Sequence, residues 1–247
     1  MKRMHPSPSE DETLDTFFHG RIVVRQKKKG YRFSVDAPLL AAAVETRPGD
    51  ELCELGAGCG IVSLLLSVKP FRRITALEIQ DELADLAERN VRLNGLQSRI
   101  TVIRADLRRF RPPERFDVVF SNPPYIRKRQ GYLSPSAEKS VAKHEIKCDI
   151  LEVMRAAAGL LKEDGRAYFV YPEKRNKDLC RAAEEAGLGV AWMRRVHPRR
   201  SEPANLFLAR CEFRTSRVDT PPPLVLFEDG GGYTDEARRI FAGQFHA

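Results

Sequence analysis

The chain has 247 residues, a net charge of +8 and a pI near 9.4, and 42% of its residues are hydrophobic. That hydrophobic content is enough for the packed core of one large or two small domains. The longest apolar runs fall far short of the roughly 20 residues that a membrane-spanning helix needs, which excludes such a helix.

The net charge bears on the kind of partner, and the cysteines bear on the cellular compartment. A positive charge suggests an anionic partner but does not identify one. The five cysteines include no C-x-x-C pair, which indicates a reducing compartment, the cytoplasm, and no structural zinc site. No spacing of side chains suggests a metal site. The opening MKRMHPSPSE lacks the apolar stretch of a signal peptide.

The predicted elements begin with a disordered polar tail over residues 1–13 and a hairpin extension over 14–35. Within the extension, 21–26 is predicted to be a strand and 27–34 its return. Residues 36–247 are predicted to form one domain that opens with a short helix, for which Asp36 is a suitable N-cap. The domain's other predicted elements are a strand, glycine loop and helix within 47–69, a strand at 73–79, a helix at 80–96, strands at 100–106 and 116–120, a helix at 149–165, a strand at 166–172, a helix at 177–188, strands at 189–196 and 205–213, and an extended piece with a short helix within 219–243.

This alternation of helices with continuous apolar strands is typical of a parallel sheet covered on both faces. The loop at 197–204, between the final two of the seven strands, is too short for a parallel crossover and favours antiparallel pairing. The predicted fold is therefore Rossmann-like α/β, with a mostly parallel seven-stranded sheet, an antiparallel last strand and a small N-terminal hairpin.

A glycine loop, ELGAGCG (54–60), ends the first strand of the predicted sheet and opens a helix. Gly56, Gly58 and Gly60 allow a sharp turn that brings backbone N–H groups close to a ligand. The spacing is G-x-G-x-G rather than the dinucleotide fingerprint G-x-G-x-x-G, and no Gly-Lys-Ser/Thr follows, which argues against a P-loop.

Two acidic residues follow the next two strands. Glu78 ends one strand, at the separation at which an acid reaches a pair of ribose hydroxyls. Asp106 ends the other, where its carboxylate could accept from an adenine amino group. A glycine-rich turn flanked by surface acids is the structural alternative, but three such features on successive strands favour a nucleoside cofactor.

The stretch FSNPPYIRKR (120–129) follows the fourth strand. Its prolines fix φ and lack N–H donors, so the stiff backbone presents carbonyl acceptors. The Asn122 side-chain oxygen and the Pro123 carbonyl together suit a group with two hydrogens, an amide or aromatic NH₂. Tyr125 offers a π face to a planar acceptor. We therefore predict methyl transfer to such a nitrogen; the alternative is a rigid Pro-Pro turn with a buried tyrosine.

These motifs resemble those of class I S-adenosylmethionine-dependent amino-methyltransferases, a group that includes N6-adenine and protein glutamine N5 enzymes. The resemblance implies S-adenosylmethionine as the cofactor and the four residues of the NPPY motif as the catalytic group: Asn122, Pro123, Pro124 and Tyr125. The cofactor-binding residues that it implies are Asp36, Glu54, Gly56, Gly58, Gly60, Glu78, Ile79, Asp106, Leu107 and Asn122.

Two stretches, one towards each end of the chain, make the resemblance specific to one family. Residues 14–44, with an F-x-x-D-x-x-L-L element at 33–40, are similar to the N-terminal signature of the bacterial tRNA1(Val) adenine-N6 methyltransferase family. The stretch PPPLVLFEDGGGYTDEARRI near the end is similar to that family too. The resemblance places the F-x-x-D-x-x-L-L element beside the methionine end of the cofactor and implies an adenine next to the tRNA anticodon as the target.

Basic residues near the predicted site suggest RNA contacts. A flipped target base needs its flanking phosphates held on either side of the pocket. Two clusters are candidates for that role: Arg127, Lys128 and Arg129 after the catalytic motif, and Lys27, Lys28 and Lys29 in the hairpin. Each cluster could also be a solvated loop.

Several alternatives stay open at this point. A protein glutamine N5-methyltransferase uses the same amine geometry, as does an rRNA or DNA amino-methyltransferase. A non-catalytic RNA-binding module on a methyltransferase scaffold is a third possibility. The sequence leaves both a monomer and a weak dimer open.

Overall fold

The computed structural model describes residues 11–28, 35–123, 148–215 and 217–245. The strands in chain order are β1 (Glu12–Phe17), β2 (Ile22–Lys27), β3 (Glu51–Leu55), β4 (Arg73–Glu78), β5 (Ile100–Arg104), β6 (Phe116–Ser121), β7 (Leu161–Pro172), β8 (Gly189–His197), β9 (Leu206–Glu212) and β10 (Leu224–Val225). The helices are α1 (Asp36–Ala43), α2 (Ile61–Leu66), α3 (Asp81–Leu93), α4 (Ile150–Leu160), α5 (Asn176–Glu185) and α6 (Asp235–Phe241).

The centre of the fold is an eight-stranded sheet in the order β10-β8-β9-β7-β6-β3-β4-β5. Neighbouring strands from β7 to β5 are parallel, whereas β9 is antiparallel to both β7 and β8. The predicted Rossmann-like, mostly parallel sheet with an antiparallel strand is therefore confirmed. The seven predicted strands are β3 to β9, and the two-residue β10 adds an eighth at the edge, parallel to β8.

Helices cover both faces of this sheet, because its strands bury side chains on both sides. On β3, Leu52 belongs to one buried cluster and Cys53 to the other, and on β6 Val118 and Val119 divide in the same way. The first cluster includes side chains from α1, α2 and α3, and the second includes side chains from α4 and α5. Alternation along a strand thus produces the continuous apolar runs of the sequence.

The N-terminal hairpin differs from its prediction. It pairs β1 with β2, from Glu12 opposite Lys27 to Phe17 opposite Ile22, so it begins at Glu12 rather than residue 14. The predicted return strand at 27–34 lies mostly outside the described residues, and the partner that the described residues give β2 is β1, which precedes it in the chain.

The turn between β1 and β2 has an unusual backbone conformation. Phe18 and His19 both adopt positive φ (54° and 56°), a conformation that is uncommon for residues other than glycine. The Phe18 side chain is buried and meets the ring of Phe245 edge-on at 5.5 Å, which helps to offset the strain. Gly20 is the local turn signal, whereas the contact of Phe18 with Phe245 has no local sequence signature.

Two helix boundaries also differ from those predicted. The N-cap of α1 is Val35, and Asp36 is the first helical residue, so the predicted capping role of Asp36 is wrong. Helix α4 ends at Leu160 rather than 165, because Leu161 pairs with Phe116 and starts β7. Pairing with a neighbouring strand overrides the helix propensity of that segment.

The helices and the cysteines were also compared with what a membrane span and a disulfide require. None of the helices in the described part of the chain is long and apolar enough to cross a membrane. All five cysteines are free thiols.

Candidate active site

The predicted motifs meet at one edge of the sheet. Strands β6, β3, β4 and β5 are parallel neighbours, so their carboxyl ends share that edge. The hydroxyl of Ser121, the last residue of β6, donates to the carbonyl of Leu55, the last residue of β3, at 2.7 Å. Because Gly56 and Asn122 are the next residues, the glycine loop and the proposed acceptor motif start side by side.

The glycine loop has the backbone that its sequence requires. Gly56 and Gly60 have φ of 72° and 81°, in the left-handed region that favours glycine. The N–H groups of Gly56 and Ala57 donate to the Leu77 carbonyl at 3.0 and 2.8 Å, which ties the loop to β4. A Cβ on Gly60 would lie 3.3 Å from that of Ala87, whereas one on Gly56 would enter open space. The loop therefore packs on α3 and leaves room above Gly56 for a ligand.

Glu78 organises the backbone around the predicted ribose site. Its Oε2 accepts the N–H of Gly58 at 2.8 Å, and its Oε1 accepts those of Ile79 and Gln80 at 3.0 and 2.9 Å. The residue is buried, at 5% exposure, although it is an acid at a strand end. A carboxylate has about four acceptor positions, so one position remains for a ligand hydroxyl.

Glu54 lies in β3, just before the glycines of the loop. It is buried, and its Oε2 accepts both the hydroxyl and the N–H of Ser63 in α2. Burial raises the pKa of this carboxyl from 4.5 to about 8, although the Ser63 hydrogen bonds oppose the shift. These contacts join β3 to the first turn of α2.

The raised pKa of Glu54 predicts a pH-dependent stability. Between about pH 4.5 and 8 the folded state retains a proton that the unfolded state releases, so the free energy of unfolding falls as pH rises. The slope from this group approaches about 1.4 kcal/mol per pH unit at most. We expect Glu54→Gln, which mimics the protonated acid, to flatten this decline in urea unfolding measured from pH 5 to 8. An equally steep decline in the variant would contradict the assignment.

Asp106 follows β5 and is engaged by Arg108. Arg108 Nη2 and Nε donate to Asp106 Oδ2 at 2.7 and 3.0 Å, and Nη1 lies 3.3 Å from Glu152 in the first turn of α4. The Arg108 hydrogen bond holds the pKa of Asp106 below its usual value, so the carboxylate is ionised at neutral pH. An adenine amino group at this position would share the carboxylate with Arg108.

The acceptor motif is described only in part. Asn122 is half-buried and Pro123 is buried, directly after β6. Pro124 and Tyr125 lie outside the described residues, as do the basic residues Arg127, Lys128 and Arg129.

The structure also places the other predicted residues. Asp36 is buried at the start of α1, which packs on α2. Ile79 is half-buried beside Glu78, and Leu107 packs partly buried against the second core cluster. Of the hairpin lysines, Lys27 forms an ion pair with Glu82 on α3 and Lys28 is exposed, whereas Lys29 lies outside the described residues.

Sequence reasoning missed three residues that shape this site: Ser121, Arg108 and Asn90. Asn90 is fully buried, and its Nδ2 donates to the Cys59 carbonyl of the glycine loop at 2.9 Å. A signal for Asn90 was present, because it shares the apolar face of α3 with Leu86 and Ala87, where a polar residue needs a partner. Arg108 and Ser121 carry no comparable signal.

Over 11–28, 35–123, 148–215 and 217–245, no group of three or more His, Cys, Asp or Glu side chains could hold a metal ion.

Comparison with known families agrees with this geometry. Residues 32–179, more than half of the chain, match the family model of the methyltransferase small domain. A protein of Dyadobacter fermentans, named tRNA1(Val) (adenine(37)-N6)-methyltransferase, is 27% identical over 92% of this chain and 95% of its own. A protein of Tolumonas auensis with the same name is 28% identical over 90% of this chain and 92% of its own.

Solved structures share the fold. A predicted O-methyltransferase from Agrobacterium tumefaciens has a TM-score of 0.65 and 22% identity, covering 86% of this chain and 98% of its own. TYW2 of M. jannaschii, solved in complex with AdoMet, has a TM-score of 0.55 and 16% identity, covering 85% of this chain and 90% of its own. At these identities the likeness concerns the architecture alone.

Proposed function

This chain belongs to the methyltransferase small domain family, and we propose that it transfers a methyl group from S-adenosylmethionine to the exocyclic N6 of an adenine in tRNA. The observation that supports the proposal is the hydrogen bond from the Ser121 hydroxyl to the Leu55 carbonyl, which joins the residue before Gly56 to the residue before Asn122. The proposal has three parts: the cofactor residues, the acceptor residues and the substrate.

The described residues fit the cofactor. The glycine loop would leave room for it above Gly56, Glu78 would accept from a ribose hydroxyl, and Asp106 would face the adenine amino group. The open space above Gly56 and the remaining acceptor position on Glu78 both support this fit. When bound, S-adenosylmethionine supplies a methyl group already activated on a sulfonium. Positioning by the protein can then provide much of the rate enhancement.

Asn122 and Pro123 would hold the target amine. Their two oxygens would accept the two amine hydrogens, which favours a nitrogen lone pair aimed at the donor. No strong general base is needed, because the nitrogen becomes acidic only as it is alkylated. In this proposal Tyr125 stacks on the base, and Pro124 stiffens the turn.

The relatives favour RNA over protein as the substrate. Both relatives described above carry a name that specifies adenine 37 of a tRNA, and both match along nearly the whole chain. A protein glutamine substrate would use the same amine geometry but would not need basic flanks. We also propose that the enzyme works in the cytoplasm, where its five free cysteines would stay reduced.

Methyl transfer to defined RNAs tests the proposal. Purified protein and radiolabelled S-adenosylmethionine are incubated with a tRNA1(Val) transcript or with the same transcript carrying guanine at position 37. We expect label only in the first, recovered as N6-methyladenosine after nuclease digestion. Equal labelling of both transcripts would contradict adenine 37 as the target, and no label in either transcript would contradict tRNA as the substrate.

Salt dependence gives an independent test of the partner. Neutralisation of phosphates by basic side chains releases counterions, so RNA affinity should fall steeply between 50 and 200 mM salt, by about tenfold or more. Filter binding with the tRNA transcript measures this directly. Affinity that does not change over this range would argue against a basic RNA-binding surface.

A further inference from the structure

Two asparagines on α3 complete the open edge of the N-terminal hairpin. The Asn94 side chain accepts the N–H of Val23 at 2.9 Å and donates to the Val23 carbonyl at 2.7 Å. The Asn90 side chain does the same for Arg25, at 2.8 and 2.9 Å. The backbone groups of alternate residues on β2 therefore bond to α3, as they would to another strand.

The spacing of these residues explains why the two elements fit. Asn90 and Asn94 are four residues apart, a rise of about 6 Å along an α-helix. Val23 and Arg25 are two residues apart, a rise of about 6.8 Å along an antiparallel strand. Four residues of helix thus span nearly the same length as two residues of strand. The two asparagine amides therefore bond to β2 as the backbone of a neighbouring strand would.

Only Asn90 extends this contact to the glycine loop. Its second Nδ2 hydrogen bond goes to the carbonyl of Cys59, next to Gly60. The side chain is fully buried, and its one accepted and two donated hydrogen bonds satisfy the amide. Asn94 instead donates its second hydrogen bond to the Asn90 carbonyl within α3. Asn90 is therefore a single side chain that joins the hairpin, α3 and the loop.

We propose that Asn90 is a positioning residue for the cofactor, and that through it the N-terminal hairpin forms part of the cofactor site. This inference rests on the proposed function, in which the glycine loop holds S-adenosylmethionine. Asparagine suits the role because the site needs two donors and one acceptor in a single short side chain. Aspartate has no donor, and an apolar residue would leave the Cys59 carbonyl and both Arg25 groups unpaired.

Matched variants test this role. We expect Asn90→Ala to weaken S-adenosylmethionine binding in calorimetry by about tenfold, since the glycine loop loses the hydrogen bond that fixes its Cys59 carbonyl and must be ordered by the ligand instead. Asn94→Ala is the control, because it loses hairpin contacts but none to the loop, and its affinity should stay near wild type. The maximal transfer rate at saturating cofactor should change little in either variant. Equal affinity losses in both would overturn the positioning role and leave general loosening of the hairpin as the explanation.

A measurement on the wild-type protein covers the case in which Asn90→Ala does not fold. Saturating S-adenosylmethionine should slow amide hydrogen exchange at Val23 and Arg25, because a bound ligand stabilises the loop to which the hairpin is joined. Unchanged exchange at these amides, with slower exchange in the glycine loop, would overturn the coupling. A wild-type protein that binds no S-adenosylmethionine would instead overturn the proposed function, so the two failures are distinguishable.

Discussion

Replacing Asn122 with alanine is expected to lower the rate of methyl transfer at saturating substrates by about 10²–10³-fold, the usual cost of losing one fixed hydrogen bond to a developing charge. The side-chain oxygen would stabilise the positive charge that grows on the acceptor nitrogen as the new bond forms. The affinity for S-adenosylmethionine should stay nearly intact. Single-turnover transfer to the tRNA transcript measures the first effect, and calorimetry measures the second.

Two further variants make this result interpretable. Asn122→Asp keeps an acceptor oxygen of the same reach, so it should retain more activity than alanine. Asn205→Ala, at an exposed position before β9, should behave as wild type. Full activity of Asn122→Ala on the true substrate would show that another residue holds the amine.

Glu78→Gln is expected to weaken S-adenosylmethionine binding by about 10²-fold, since it unpairs buried N–H groups and weakens a charge-assisted hydrogen bond to the ligand. The carboxylate accepts N–H groups on both oxygens, from Gly58 on one and from Ile79 and Gln80 on the other. An amide NH₂ in place of either oxygen would face a donor, so part of the loop must move. Calorimetry and a thermal-shift titration with S-adenosylmethionine measure the loss.

Glu88→Gln on α3 is the matched control for Glu78→Gln. Glu88 forms a surface ion pair with Arg92, one helical turn away, and has no contact with the glycine loop among its described interactions. Its replacement should leave cofactor affinity unchanged. Comparable losses in both variants would mean that a general effect of removing an acid, rather than the Glu78 contacts, explains the result.

The motifs at the carboxyl edge could be predicted because each depends on local chemistry. Gly56 and Gly60 adopt a backbone that few other residues tolerate, and the spacing between the glycine loop and Glu78 follows from one strand–helix–strand unit. The adjacency of β3 and β6 follows from the same class of fold, because a doubly wound sheet changes direction at that point.

The features that the sequence did not reveal depend on contacts between distant parts of the chain. The turn of the hairpin holds Phe18 and His19 at positive φ before Gly20, and burial of Phe18 against Phe245 helps to offset that strain. The end of α4 is set by pairing of Leu161 with β6, which its own segment does not reveal. Arg108 was not singled out, because its role appears only where α4 brings Glu152 close to Asp106.

The sequence by itself therefore determined the class of sheet, the glycine loop, the acids at the strand ends and the Asn-Pro-Pro-Tyr motif. Residue type and short spacing are sufficient to specify these features. Only the tertiary structure decided the partner of β2, the pairing of Asp106 with Arg108, and the junction at Asn90. Asn90 and Arg25 are 65 positions apart, and a hydrogen bond over that distance exists only once packing has brought its two partners together.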